Sequence, residues 1–446
     1  MKIFCVSLGC DKNLVDTERM LGLLTRDRYE FTDDEQQADV ILINTCCFIG
    51  DAKEESINTI LEMAELKHTG NLKALLVAGC LAQRYQQEIF KEIPEVDAIL
   101  GTSSYGEISG VIKNVLAGKE REERFLSLSN SLQAGVPRVL TTGGHYAFLK
   151  IAEGCDKHCT YCIIPSLRGP YRSVPMEQLF EEAKGLAEQG VKELILVAQE
   201  TTVYGMDLYG KKSLPALLRQ LCQISGIQWI RIQYCYPEEI TQELIEVIRT
   251  EEKVCHYLDI PIQHASDAIL KRMGRKTNRK QLEDLIACLR SQIPDIALRT
   301  TLISGFPGET KEDHEILMEF VNQMEFERLG VFAYSQEEDT PAADFPDQID
   351  EALKEKRRDE IMELQQEIAF EKSDSMVGRI LDVMIEGQVV DENAYVGRTY
   401  MDAPGVDGLI FVNTNARLMS GDFVRVRVTG AAEYDLIGEM CDESAQ

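Results

Sequence analysis

The chain has 446 residues, of which 44% are hydrophobic and 27% charged. That balance fits a folded globular protein of about three domains and excludes a disordered chain. The net charge of −28 repels polyphosphate at long range and attracts basic partners.

The first residues, Met1-Lys-Ile-Phe-Cys-Val-Ser-Leu-Gly-Cys10, read as a strand rather than a signal peptide. No apolar run approaches the roughly 20 residues that cross a bilayer. A cytoplasmic location without a membrane partner is therefore expected. Strand-like runs at 2–7, 40–44 and 74–78 alternate with helical periodicity at 16–25 and 54–67. Such alternation predicts a parallel sheet covered on both faces, with ligands beyond the carboxyl ends of its strands. Each run leads into a cysteine, namely Cys10, Cys46 and Cys80. Three cysteines delivered to one sheet edge form a metal-site constellation. This α/β unit is taken as 1–134.

From 135 to 374, strand candidates at 146–151, 193–198, 229–234, 257–260, 297–302 and 329–334 are separated by helical stretches such as 176–189 and 280–291. Six βα units predict a complete or partial (β/α) barrel with its chemistry at the carboxyl ends of the strands. A charged helix at 349–373 leads into 375–446, where short alternating runs lie between glycines. That pattern predicts a five-stranded antiparallel β-barrel. The fold class is thus α/β with a small all-β domain.

Thirteen cysteines in a cytosolic chain are not a disulfide framework. Cys222, Cys235, Cys255 and Cys288 read as buried packing residues, and Cys441 as incidental. The strongest signal is Cys155-Asp-Lys-His-Cys159-Thr-Tyr-Cys162. Its C-x₃-C-x₂-C spacing supplies three thiolates to a four-iron cluster and leaves one iron open. An open iron can chelate S-adenosylmethionine, and an electron passed into the sulfonium releases a deoxyadenosyl radical. A structural zinc site is the competing reading, but zinc takes four ligands, often as paired C-x₂-C units. His158, lying between two of the cysteines, reads as solvated rather than as a fourth ligand.

The stretch Lys150-Ile-Ala-Glu-Gly-Cys-Asp-Lys-His-Cys-Thr-Tyr-Cys-Ile-Ile-Pro-Ser-Leu-Arg-Gly169 closely resembles the core of the methylthiotransferase family of radical enzymes. Ser7-Leu-Gly-Cys-Asp-Lys-Asn13, Asn44-Thr-Cys46 and Gly79-Cys80 resemble the family's amino-terminal motifs, and the third segment is similar to its TRAM domain. The resemblance implies a second, auxiliary four-iron cluster on Cys10, Cys46 and Cys80, whose open iron carries the sulfur to be inserted. Cys47 then reads as packing, because neighbouring residues on extended chain point to opposite sides.

Gln199-Glu-Thr-Thr-Val-Tyr-Gly-Met-Asp-Leu-Tyr-Gly210 and Tyr395-Val-Gly-Arg-Thr-Tyr-Met-Asp-Ala-Pro-Gly-Val-Asp-Gly408 are most similar to the branch that modifies an aspartate of ribosomal protein S-twelve. Gly405 departs from that branch, which usually has an acid there, on what the resemblance implies is a substrate-docking surface. The implied partners are that ribosomal protein and a low-potential electron donor such as flavodoxin. The transfer-RNA branch is the near alternative. Residues 376–446 hold five Arg, no Lys and twelve Asp or Glu, a balance of −7 that predicts docking of a basic protein and little affinity for transfer RNA. Asp402 and Asp407, flanking the Ala-Pro-Gly turn, are expected among the exposed acids that steer this encounter. A non-catalytic cluster-bearing sensor is disfavoured, because each triad is one ligand short of a closed site.

For the cofactor pocket the candidates are Gln199, Glu200, Gln263 and His264 at strand ends, with Ile303 and Gly305 in Thr301-Leu-Ile-Ser-Gly-Phe-Pro-Gly-Glu309. That segment resembles one that packs on the adenosine of S-adenosylmethionine, and its glycines would let a ligand approach the backbone. Capped strand ends and solvated loops account for the same residues. Lys271-Arg-Met-Gly-Arg-Lys-Thr-Asn-Arg-Lys280 reads as a solvated basic face without a catalytic role.

Overall fold

The computed structural model describes residues 1–129, 135–390 and 392–441. Three sheets follow one another along the chain. The first has β1 (Lys2–Ser7), β2 (Glu30–Phe31), β3 (Val40–Thr45), β4 (Ala74–Gly79), β5 (Ala98–Leu100) and β6 (Glu122–Arg124) in the order β2-β1-β3-β4-β5-β6. All its pairings are parallel. Alternate residues of β3 feed opposite cores, Ile41 and Ile43 on one face, Val40 and Leu42 on the other. That two-sided burial is why the strands read as continuous apolar runs.

The second unit contains β7 (Tyr146–Lys150), the short antiparallel pair β8 (Ala152–Glu153) and β9 (Arg172–Ser173), β10 (Glu193–Val197), β11 (Trp229–Ile232), β12 (Val254–Asp259), β13 (Ala297–Ser304) and β14 (Arg328–Ala333). Its main sheet is parallel, in the order β14-β13-β12-β11-β10-β7, and is open between β7 and β14. It is therefore a partial (β/α) barrel. Ala147, Leu149, Leu194 and Leu196 face the outer helices. Phe148, Ile195 and Val197 face the other way, onto Val15 of the helix Asp11–Arg26. The amino-terminal unit thus lays the helix that begins beside Cys10 against the inner face of the barrel. Burying each large aliphatic there contributes about 1.5–3 kcal/mol.

The helix Glu351–Ser375 leads to β15 (Ile380–Gln388), β16 (Ala394–Arg398), β17 (Ile410–Asn413), β18 (Phe423–Ala432) and β19 (Asp435–Met440). These close as β15-β16-β17-β19-β18. The β17–β19 pairing is parallel, whereas an antiparallel barrel is expected from the sequence. Parity requires it. A closed ring of five strands cannot alternate direction all the way round, so at least one neighbouring pair must run parallel.

The barrel plugs the amino-terminal end of the core strands. Glu193, the first residue of β10, accepts from Arg231 Nε and Arg398 Nη2, both at 2.7 Å, and all three side chains are fully buried. Arg231 also donates to the carbonyls of Thr399 and Tyr400. Trp229 meets Phe423 edge-on, ring centroids 4.7 Å apart.

This seam overturns the expected docking surface. Asp402 and Asp407 are not exposed. Their side chains are 2% and 1% accessible, and they pair with Arg328 and Arg299 of the core. Tyr257 donates its hydroxyl to Asp407 at 2.9 Å. The 395–408 stretch therefore largely holds the barrel on the core, although Gly405 itself is exposed. Among the described residues from 376 on, the exposed acids Asp382, Glu392, Glu433 and Glu439 are matched by exposed Arg379, Arg417, Arg425 and Arg427. Among the described residues the excess of acids is turned inward. Of the acids counted there, Asp391, Asp442 and Glu443 lie outside the described residues.

Replacing Glu193 by alanine leaves the buried guanidinium of Arg231 without a carboxylate and Arg398 with Glu386 alone. A loss of about 3–5 kcal/mol is expected, read as a lower denaturant midpoint of the full chain. Asp382→Ala, at an exposed position, should leave the midpoint unchanged.

Candidate active site

Cys10 caps the helix Asp11–Arg26, Cys46 follows β3 directly, and Cys80 opens the helix Cys80–Tyr85 after β4. The fold brings the three together. A Cβ on Gly9, whose φ is +84°, would lie 2.8 Å from Cys46 Sγ, so only glycine lets the Cys10 turn approach that sulfur. Asn13 ties the turn down by donating to the carbonyls of Leu8 and Thr45 at 3.0 and 2.8 Å. Ser56 Oγ accepts from Cys46 N and donates to Cys46 O. Burial pushes the Cys46 thiol up to about 12, with nearby Cys80 and Cys10 adding to the rise. Cys47 is fully buried in the apolar core beneath, as expected of a packing residue.

The second triad lies in the loop after β8. Cys155 and Cys159 are buried, and Cys162 is half-buried. Burial raises the thiols of Cys155 and Cys162 to about 11 and 12. His158 is exposed, as expected. Among the described residues no three His, Cys, Asp or Glu side chains converge tightly enough to share one metal ion. A mononuclear zinc site needs that convergence, whereas the ligands of a four-iron cluster each take a different iron. The donor set fits the cluster: grouped sulfurs in a dry setting, open to stabilisation by a strong positive charge.

One buried side chain joins the triads. The helix Ile164–Arg168 follows Cys162 and packs Ile163 and Leu167 into the amino-terminal core. Its last residue, Arg168, reaches Cys80 Sγ at 3.4 Å, Asp16 at 2.7 Å, Glu153 at 3.2 Å and Asn13 Oδ1. Burial pushes the Glu153 carboxyl up, but Lys150 and Arg168 more than offset this and hold it well below the usual carboxylate range. Glu153 also accepts from Gln199 Nε2 at 2.5 Å, and Gln199 Oε1 accepts from Gly154 N at 2.9 Å, one residue before Cys155. A continuous buried polar path thus runs from Cys80 to the Cys155 loop.

The structure sorts the cofactor candidates. Gln199 and Glu200 flank the Cys155 loop. Glu200 is 1% exposed, with Oε2 lacking a hydrogen bond 3.7 Å from Lys157 Nζ. Burial raises its carboxyl to about 7. Ile303 N donates to Gln263 O at 2.8 Å, and Ile303 packs in the cluster that contains Tyr161 of the cysteine loop. His264 and Gly305 lie behind this layer. His264 is fully buried, accepts from Ser266 N and sits 3.7 Å from Glu309, which itself takes Gly305 N, Phe306 N and Arg357. On the side where a Cβ would stand, the glycines of this turn make room for protein. A Cβ on Gly305 would lie 2.3 Å from Lys354 Cγ, and one on Gly308 would lie 2.8 Å from Arg272 Nη1.

The basic run 271–280 is largely the solvated face expected, with Lys271, Lys276 and Lys280 exposed, but Arg275 departs from it. Arg275 is 6% exposed and reaches Cys159 Sγ, with its guanidinium 4.2 Å over the ring of Tyr236. Neither Arg275 nor Tyr236 carries a sequence signal of this role. Both come from elements distant in the chain.

Comparison with known proteins agrees with this geometry. Residues 2–101 match the family described as Uncharacterized protein family UPF0004, 149–321 match the Radical SAM superfamily, and 377–441 match the TRAM domain. The chain is 68% identical to the "Ribosomal protein uS12 methylthiotransferase RimO" of Lachnoclostridium phytofermentans, over 98% of this chain and 99% of that protein. It is 52% identical to the protein of the same name in Acetivibrio thermocellus, over 100% and 99% of the two chains. Among solved structures, the radical S-adenosylmethionine methyltransferase TsrM of Kitasatospora setae, with cobalamin and a [4Fe-4S] cluster bound, shares the fold at a TM-score of 0.56. It is 12% identical, and the match covers 76% of this chain and 73% of that one. The chain belongs to the RimO family of radical S-adenosylmethionine methylthiotransferases.

Proposed function

We propose that the chain installs a methylthio group on the β-carbon of an aspartate in ribosomal protein uS12, using two four-iron clusters. The observation that carries this reading is the pairing of two cysteine triads across Arg168, 3.4 Å from Cys80 and on the helix that follows Cys162. The curated relatives bear the name of that activity over the full length of the chain, which favours it over transfer-RNA modification.

Cys155, Cys159 and Cys162 hold the cluster that binds S-adenosylmethionine, and Cys10, Cys46 and Cys80 hold the auxiliary one. When bound, these groups supply an electron, a hydrogen-abstracting radical and a methylated sulfur. The chain supplies the rest. Arg168 and Asn13 fix the Cys10 turn against the Cys155 loop, so the distance between the triads is set before any substrate arrives. Burial around both loops keeps stray hydrogen donors such as free thiols and reductant away from a radical. Glu200 Oε2 has no hydrogen bond and supports a contact to the cofactor, with Gln263 and Ile303 lining the neighbouring strand ends. Gln199 is committed to Gly154 and Glu153 and orients the loop. His264 and Gly305 shape the turn from behind.

A low-potential one-electron donor such as flavodoxin completes the system, and a ribosomal substrate implies the cytoplasm. The net charge of −28 over the whole chain, rather than the buried Asp402 and Asp407, draws in a basic ribosomal protein and leaves little attraction for transfer RNA.

Mass spectrometry of uS12 after incubation with reconstituted enzyme, reductant and S-adenosylmethionine tests the activity. The added mass of a methylthio group on one aspartate is expected, and modification of transfer RNA alone would sink the reading. Two variants separate the triads. With Cys155, Cys159 and Cys162 changed to alanine, the protein should retain about half the wild-type iron, because each triad carries its own cluster. With Cys10, Cys46 and Cys80 changed to alanine, deoxyadenosine should still form while uS12 stays unmodified. Continued methylthiolation by that second variant would refute the auxiliary role.

A further inference from the structure

Arg275 is an unusual cation. Its side chain lies almost wholly inside the protein, and among the described residues no carboxylate is within ion-pair distance of it. Nη2 donates to Pro261 O at 2.9 Å, Nη1 reaches Cys159 Sγ at 4.0 Å, and Nε has no partner. Its guanidinium stacks 4.2 Å over Tyr236, whose hydroxyl is itself 3.4 Å from Cys159 Sγ. Arg168, the buried arginine at Cys80, is by contrast neutralised by Asp16 and Glu153. A buried charge without a counter-ion is costly. Among the described residues Glu238 acts on Arg275 only from beyond ion-pair distance and is itself shared with Lys157, so the anions that Arg275 can contact directly are the thiolates of the Cys155 triad.

Its position is fixed. Thr160, between Cys159 and Cys162, donates its backbone N–H to Met273 O at 3.0 Å and its hydroxyl to Arg272 O at 2.9 Å. The Arg272-Met-Gly-Arg275 turn is therefore fastened to the cysteine loop itself. A cysteine that ligates iron has no proton to give, so Cys159 can only accept, and both Tyr236 and Arg275 must donate.

We propose that Arg275, seconded by Tyr236, is a positioning residue that raises the reduction potential of the cluster held by Cys155, Cys159 and Cys162. Hydrogen bonds to cluster sulfur and nearby positive charge stabilise the added electron. The inference rests on the assignment of that triad in the proposed function. It also gives the two clusters different settings. At the Cys155 triad the buried cation reaches sulfur with no carboxylate at ion-pair distance, whereas at the other triad Arg168 is paired with Asp16 and Glu153, and Lys12 lies beside Cys10.

The test is an anaerobic redox titration of the reconstituted full chain, followed by the paramagnetic signal that changes when S-adenosylmethionine is added. In Arg275→Met the ratio of reduced to oxidised cluster at a fixed reductant potential should fall at least tenfold, which is 59 mV for one electron. Arg275→Lys keeps the charge and should recover most of that ratio. Tyr236→Phe removes one donor with little change of shape and should shift the ratio in the same direction, by less. A potential unmoved in Arg275→Met at full iron content overturns the proposal, since a merely structural arginine would alter stability and leave the potential alone. Should that variant fail to hold iron, an unmoved potential in Tyr236→Phe overturns it equally. The control is the Cys155, Cys159 and Cys162 alanine variant. If the S-adenosylmethionine-responsive signal survives in it, the assignment of the triad fails, a result distinct from failure of the role of Arg275.

Discussion

The two halves of the site are held in register by one guanidinium. Arg168 stands on a five-residue helix that begins two residues after Cys162, yet its contacts are with Asn13, Asp16 and Cys80 of the other unit. Burying an arginine is unfavourable by several kcal/mol unless every donor finds an acceptor. Glu153 is an acceptor within its own unit, but the contacts to Asn13, Asp16 and Cys80 are made only when the two units sit in a single relative position. A group that would be destabilising anywhere else thus becomes a gauge of the distance between the triads. The helix Asp11–Arg26 enforces the same distance by packing Val15 on Phe148, Ile195 and Val197. Apolar packing provides the affinity between the units, and the polar link provides the register.

The third unit works from the opposite end. Strand starts in a (β/α) barrel serve stability, and strand ends serve chemistry. The chain keeps that division. Glu193, Arg231, Arg299 and Arg328 lie at or near the starts of their strands and take up the barrel through Arg398, Asp402 and Asp407. Counting charges over 376–446 finds the excess of acids but not the direction in which they point. Two of the acids that stand out in the sequence are counter-ions of core arginines.

Much of the architecture is legible because its periodicity is strong. Strands such as β3 and β4 are buried on both faces and read as unbroken apolar runs, and the cysteines that end them are visible without a structure. β2, β5 and β6, two or three residues long, are too short to carry a period. The antiparallel reading of the small barrel fails at β17 and β19 for a reason of ring closure that no local pattern contains. Gly305 and Gly308 follow a different logic. A glycine announces that something approaches the backbone, not what. Here the neighbours are Lys354 and Arg272, supplied by helices remote in sequence.

Burial sets the terms for the chemistry as well. Removing Cys46, Cys155 and Cys162 from water drives their thiols above the ordinary range, so the apo chain favours protonated sulfur. If these cysteines are the ligands proposed above, they become thiolates when a positive metal replaces the proton, which would couple cluster insertion to proton release. An exposed loop would ionise more readily and bind iron at lower cost, but it would leave a radical open to hydrogen donors from solution. The fold instead accepts reluctant thiols in exchange for a dry site. Arg275 and Arg168, each placed against one sulfur of one triad, return part of the lost electrostatic stabilisation where iron is to be held.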